Sequence, residues 1–212
     1  LKEQEENIAE SKRQMLAWAK ESEVDESYIA ENVTYEPNGD IIWEGDCVFS
    51  GKKNMTSFPP NLKEVRGRLD CRKTNIESLE GCPSSVTTLN CSKTKIENLE
   101  GCPSSVISLF CYRSKIASLV GCPSSVIKID CSYTKIASLE GCPSSVIEID
   151  CSYTKIANLV ECPSSVIALK CSGCPNLIEI PEGLHTDLVV YVDGSQKELA
   201  NDARKKGYTV RD

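Results

Sequence analysis

Thirteen cysteines and one histidine hold most of the reactive potential of this 212-residue chain. A cysteine attacks or coordinates as its thiolate, so it needs a histidine or a strong positive field beside it. His185 is the sole histidine, placed on the segment before an expected strand with no second base near it in sequence. Cys171 and Cys174 form a CxxC, but no second CxxC or histidine pair completes a zinc set. Ser-Ser pairs such as Ser104-Ser105 occur five times, and a catalytic serine is not copied in every repeat. No GxxxxGK phosphate loop is present. The sequence therefore assigns no catalytic residue, no metal ligand set and no cofactor.

The thiols follow a period instead. Cys71, Cys91, Cys111, Cys131, Cys151 and Cys171 are spaced by twenty residues, and so are Cys82, Cys102, Cys122, Cys142 and Cys162. A residue type locked to one repeat position reads as a small apolar core filler. Parallel strands in register set such cysteines about 4.8 Å apart, a Cα separation that a disulfide tolerates. Their side chains point the same way, however, which is poor bridging geometry. The expectation is reduced, structural thiols in a reducing compartment, with bridges at Cys47 or Cys171/Cys174, or a metal site, as the alternatives.

The element that positions these residues is a unit of twenty. Pro83-Ser84-Ser85-Val86-Thr87-Thr88-Leu89-Asn90-Cys91 recurs from Pro103, Pro123, Pro143 and Pro163, each followed by a segment like Thr94-Lys95-Ile96-Glu97-Asn98-Leu99. Such a period signals a solenoid, in which no unit can bury its apolar face alone. Leu89 and Cys91 alternate with Thr88, Asn90 and Ser92, so a strand with one inward and one outward set is predicted. Pro103 and its equivalents favour an extended return limb. Gly81, Gly101, Gly121 and Gly141 are expected at positive φ, and Glu161, which breaks that series, should alter its turn.

Residues 1–44 read as an N-terminal cap: a helix over 1–32 with Ile8, Met15, Leu16 and Ala19 on one side, then a hairpin turning at Asn38-Gly39. Residues 45–193 read as the array, opening on a degenerate unit with Cys47, Phe49, Met55 and Phe58. Leu188–Val192 is its expected last strand. Residues 194–212 read as a capping helix and tail, with Ser195 and Glu198 as a capping box and Gly207 as the stop.

Composition narrows the partners. Net charge is −7 and the pI about 5.0, which argues against a broad grip on nucleic acid. No apolar run is long enough for a membrane helix, and the charged first thirty residues lack a signal-peptide core.

The unit P-x-x-L-x-x-L-x-C-x-x-T-x-I-x-x-L resembles the twenty-residue bacterial-type leucine-rich repeats of secreted effectors, over roughly 45–193. Cys91 and its equivalents stand where that family has valine. Thr74, Thr94, Ser114, Thr134, Thr154 and Cys174 stand where it has asparagine. The resemblance implies a strongly curved horseshoe with strands on its concave side and a helical N-terminal cap. It implies a non-catalytic module that recognises a protein, as in a bacterial effector binding a host protein after secretion from the bacterial cytoplasm. Some members add a ubiquitin-ligase domain with a catalytic C-x-D. No C-x-D occurs here, and the nineteen residues expected after the array, 194–212, would leave no room for one. The alternatives are a self-assembling repeat protein and the binding segment of a larger effector; the oligomeric state is left open.

On the outward face, Phe110, Tyr112 and Arg113 form an expected anchor patch, with Tyr133 and Tyr153 at the position of Arg113 in the next units. Asp130, Glu148 and Asp150 form an acidic area beside it that favours a basic partner. Lys95, Lys115, Lys135 and Lys155 make a second, basic edge, read as solvated. Ile107, Ile127, Ile147 and Ile167 are expected to be buried.

Overall fold

The computed structural model describes residues 1–212. The expected single N-terminal helix is two: α1 (Lys2–Glu21) and α2 (Glu26–Asn32). Glu23 takes φ 55°, its N–H donates to the Lys20 carbonyl (3.4 Å), and the Val24 N–H reaches back to Ala19 (2.8 Å). These two bonds make a Schellman stop with a buried valine beyond it. Asp25 then starts α2, its carboxylate accepting from the Ser27 N–H and hydroxyl, both at 2.8 Å. The inner face of α1 is Ser11, Met15, Trp18 and Ala19, while Leu16 is exposed.

The predicted hairpin forms between β1 (Val33–Tyr35) and β2 (Ile41–Trp43), closed by the Asn38-Gly39 turn. Next comes β3 (Cys47–Val48), the first strand of the array. The chain returns to the cap with β4 (Leu62–Val65), which pairs parallel to β2. The cap sheet thus takes a strand from within the expected array. Trp18 and Trp43 both meet the Phe49 ring edge-on, at 5.2 and 5.3 Å, so the cap seals the first turn of the solenoid with aromatic rings.

Six short strands then stack at intervals of one repeat: β5 (Leu69–Asp70), β6 (Thr88–Asn90), β7 (Ser108–Phe110), β8 (Lys128–Asp130), β9 (Glu148–Asp150) and β10 (Ala168–Lys170). The expected final strand is β11 (Val189–Tyr191). It is not the last, because α3 (Lys197–Lys205) leads to β12 (Thr209–Arg211), parallel to β11. Together they make a nine-stranded sheet ordered β12-β11-β10-β9-β8-β7-β6-β5-β3. The capping box is absent. Ser195 donates to Asp193 instead, and the residue before the helix, Gln196, donates to the Cys171 and Cys174 carbonyls at 3.0 and 3.3 Å.

One continuous core of 51 residues runs from Met15 to Tyr208. All thirteen cysteines are unpaired. Cys71 to Cys171 line the strand side of the core, fully buried. Cys47 lies opposite Leu69, so Phe49 and not a cysteine begins that column. Thr74, Thr94, Ser114, Thr134 and Thr154 each donate to the carbonyl of their own repeat's cysteine at 2.6 to 2.7 Å. The hydroxyl therefore closes the turn after the strand within its own unit. Bridging between units falls to the backbone and to Ser105, Ser125, Ser145 and Ser165, whose hydroxyls donate to the valine carbonyl of the preceding unit at 2.6 to 2.7 Å.

Gly81, Gly101, Gly121 and Gly141 do sit at φ 77° to 88°. Glu161 avoids positive φ, yet the Cys162 N–H still bonds Leu159 at 2.9 Å. The turn keeps its hydrogen bond and changes type, since a side chain resists the left-handed region.

Candidate functional site

Registry fixes the strand face. Thr88, Ser108, Lys128, Glu148 and Ala168 are in one row, continued by Val189. Asp70, Asn90, Phe110, Asp130, Asp150 and Lys170 are in the next, continued by Tyr191. Ser92 and its equivalents, expected in the outward set, do not all face outward. Ser92, Ser132 and Ser152 are buried, so among the central members of this set only Tyr112, half-buried, reaches the surface. Phe110 is also half-buried, two residues away on the same face. Lys93 places its ammonium 5.2 Å from the centre of the Tyr112 ring.

Arg113, Tyr133 and Tyr153 are exposed and form a column of their own. The Arg113 guanidinium lies 4.7 Å over the Tyr133 ring, and Tyr133 stacks on Tyr153 with centroids 4.4 Å apart and planes 14° from parallel. All three residues are at φ 54° to 57°, a conformation shared by Lys73 and Lys93. Each N–H at this position donates to the next unit's carbonyl two residues past its strand, as Tyr133 does to Ser152 at 2.9 Å. Gly173 ends the column, and a Cβ there would come within 2.4 Å of the Tyr153 ring. The ring faces are thus covered by one another, leaving edges and hydroxyls outward.

The acidic residues separate by role. Glu148 is held between Lys128 (2.9 Å) and Lys170 (3.6 Å), which neutralise it. Asp130 and Asp150 form no ion pair; each turns one oxygen to the N–H of Ser132 or Ser152 at 3.1 Å. Along the basic edge, Lys95 and Lys115 meet Glu77 (3.7 Å) and Glu97 (3.5 Å). Lys135 and Lys155 are unpaired because Ala117 and Ala137 replace those glutamates.

The isoleucine expectation is corrected. Ile107, Ile127, Ile147 and Ile167 are 38% to 43% exposed, whereas the valine before each is fully buried. The repeat template signals this, since it places a core side chain at the valine and again at Leu109, Ile129, Ile149 and Leu169, leaving the isoleucine outside. Burial pushes the strand cysteines well above the usual thiol range, and Cys102 and Cys122 up to about 12. Cys174, beside Cys151, moves the other way, to about 6, chiefly through a hydrogen bond with that thiol. It is fully enclosed. His185 lies 4.0 Å from Asp187, remote in sequence from every cysteine column. No helix is long and apolar enough to cross a membrane.

Against family models and curated protein sequences the chain finds no match. Solved structures share its fold. YopM from Yersinia enterocolitica WA-314 superposes with a TM-score of 0.52 at 22% identity, over 68% of this chain and 35% of that one. YopM of Yersinia pestis, a leucine-rich effector protein, gives 0.52 at 20%, over 72% and 42%. The functional domain of InlJ from Listeria monocytogenes, which includes a cysteine ladder, gives 0.51 at 17%, over 74% and 47%. The chain spans less than half the length of each. Its fold is that of the bacterial-type leucine-rich repeat proteins.

Proposed function

We propose that this leucine-rich repeat array is a protein-recognition module whose strand face, between β6 and β10, binds a partner protein. The observation that carries the reading is where the units differ. Core and return-limb positions are nearly identical from one unit to the next, including exposed ones: Ser84, Ser104, Ser124, Ser144 and Ser164, and Lys95, Lys115, Lys135 and Lys155. Convex positions that vary alternate between two residue types, such as Glu100, Val120, Glu140 and Val160. The strand rows instead run Thr, Ser, Lys, Glu, Ala and Asn, Phe, Asp, Asp, Lys. Exposure alone does not explain that contrast. A face read by a specific partner does, because each unit then meets different chemistry.

Phe110, Tyr112 and Arg113, with Asp130, Asp150, Tyr133 and Tyr153, are the proposed contacts, and Glu148 offsets one of the two lysine charges beside it. Aromatic and arginine side chains anchor interfaces most often. The YopM fold neighbours, one of them a leucine-rich effector protein, support a bacterial origin and a host protein as the target, and the thirteen unpaired cysteines favour a reducing cytoplasm. The chain acts by binding, without catalysis in this segment.

Capture from a eukaryotic lysate tests this, comparing the native chain with Phe110→Asn/Tyr112→Ser. Those replacements copy Asn90 and Ser92 of the preceding unit, so the fold tolerates them. A protein retained by the native chain and lost by the variant is expected. Identical capture by both would move recognition off this face. A mass that rises with concentration in the absence of any partner would favour self-assembly.

A further inference from the structure

The four exposed isoleucines form a continuous ridge. Their backbones are hydrogen-bonded in sequence, Ile127 to Ile107, Ile147 to Ile127 and Ile167 to Ile147, at 2.8 to 2.9 Å. Neighbouring strands lie about 4.8 Å apart, so the ridge is about 14 Å long. Parallel to it, three residues along each strand and therefore about 10 Å away, runs the row containing Asp130 and Asp150. Between the rows lie Lys128 and Glu148, which with Lys170 of the aspartate row form a bridge carrying one net positive charge. The face thus presents an apolar ridge on one side and, on the other, two carboxylates without an ion pair, with Lys170 beside Asp150 in the same row.

We infer that this face receives an amphipathic α-helix with a basic flank, lying along the solenoid axis. The inference rests on the strand face being the recognition surface. Spacing selects the helix: successive turns are about 5.4 Å apart, close to the ridge period, so apolar residues at i, i+4 and i+7 meet successive isoleucines. An extended strand repeats its side chains about every 6.8 Å on one face and falls out of step. Width agrees as well, because a helix about 10 Å across spans from the ridge to the carboxylates. Charge selects lysine or arginine on that flank, since Asp130, Glu148 and Asp150 outnumber Lys128 and Lys170 and neither aspartate has a cation at ion-pair distance. A second copy of this chain is disfavoured. A ridge about 14 Å long packed on its own copy covers less than the roughly 800 Å² per partner of a stable interface.

The probe is a labelled synthetic peptide of about 18 residues, leucine on one stripe and lysine on one flank. Its controls are a scrambled peptide of equal composition and one with glutamate for lysine. Anisotropy is read with the native full chain, with Ile127→Thr/Ile147→Thr and with Asp130→Asn/Asp150→Asn. Thr87 and Asn90 already occupy these rows in the first regular unit, so both variants keep residues that the strands accept. The striped lysine peptide should bind at least about tenfold tighter than either control. The threonine variant should lose about tenfold, and the asparagine variant several-fold together with most of the salt dependence. Equal binding of striped and scrambled peptides, or undiminished binding by the threonine variant, would overturn the inference. If partner capture still depends on Phe110 and Tyr112 in that case, the helix alone is withdrawn and the recognition face stands.

Discussion

Valine and cysteine are close in size, so the use of a thiol in the strand column depends on what its proton does. Cys71, Cys131, Cys151 and Cys171 donate S–H to the carbonyl of the neighbouring strand at 3.3 to 3.5 Å. That weak bond ties one unit to the next in a way a valine cannot. It also makes the fold sensitive to alkali. An unfolded cysteine ionises near pH 8.5, at roughly the usual thiol value. Burial keeps Cys102, Cys122, Cys142 and Cys162 protonated up to about 12. Below about pH 8 both states hold these four protons, and these four thiols add no pH dependence; Cys174, lowered to about 6, instead adds stability as pH rises from about 6 to 8.5. Between about pH 9 and 12 the unfolded chain has lost protons that the folded chain retains, so stability falls as pH rises. Melting temperatures measured up to about pH 11 should decline above about pH 9, less steeply for Cys102→Ala/Cys122→Ala/Cys142→Ala. A melting temperature that holds through that range would contradict protonated, buried thiols.

Among the elements, the helices were the least legible from sequence. The break after Glu21 uses a glutamate where glycine is usual, and its signals are Val24, which packs inward, and Asp25, which caps. Neither stands out in a charged stretch. Replacing Glu23 with glycine relieves a side chain held at φ 55° and should stabilise by about 0.5 to 1 kcal/mol. Asp25→Ala should remove about 1 kcal/mol. Urea midpoints check both, and a destabilising Glu23→Gly would show that its side chain matters more than its backbone. The Ser195-Glu198 spacing misled for the opposite reason. The pattern is present, but Asp193 competes for the serine hydroxyl. Strand β12 gave no signal, because Thr209-Val210-Arg211 becomes a strand only through its pairing with β11.

At the scale of the molecule, what the sequence carried well was everything the repeat enforces. Strand positions, the inward cysteines and the solenoid follow from period and alternation alone. The surface was legible in part. Outward positions could be placed in rows, whereas the pairing of Glu148 with two lysines and the stacking of Tyr133 on Tyr153 depend on distances that spacing does not supply. The isoleucine ridge was misread because an apolar residue beside a core valine looks like core. The continuous core has a mechanical consequence that a set of separate units would lack. Both tryptophans, Trp18 and Trp43, are in the cap and contact Phe49, so their fluorescence reports the N-terminal end alone. Ile149, fully buried in β9, lies four strands beyond β5 in the sheet order. Ile149→Ala should destabilise by about 2 to 5 kcal/mol. If the core of 51 residues unfolds as one unit, tryptophan fluorescence and far-ultraviolet circular dichroism will lose their signals at a common, lowered midpoint. Nearest-neighbour stacking allows the other outcome, in which the dichroism midpoint falls and the fluorescence midpoint stays. We expect coincidence, because each unit is too short to hold a core without its neighbours, and the cap closes a sheet that has no internal gap.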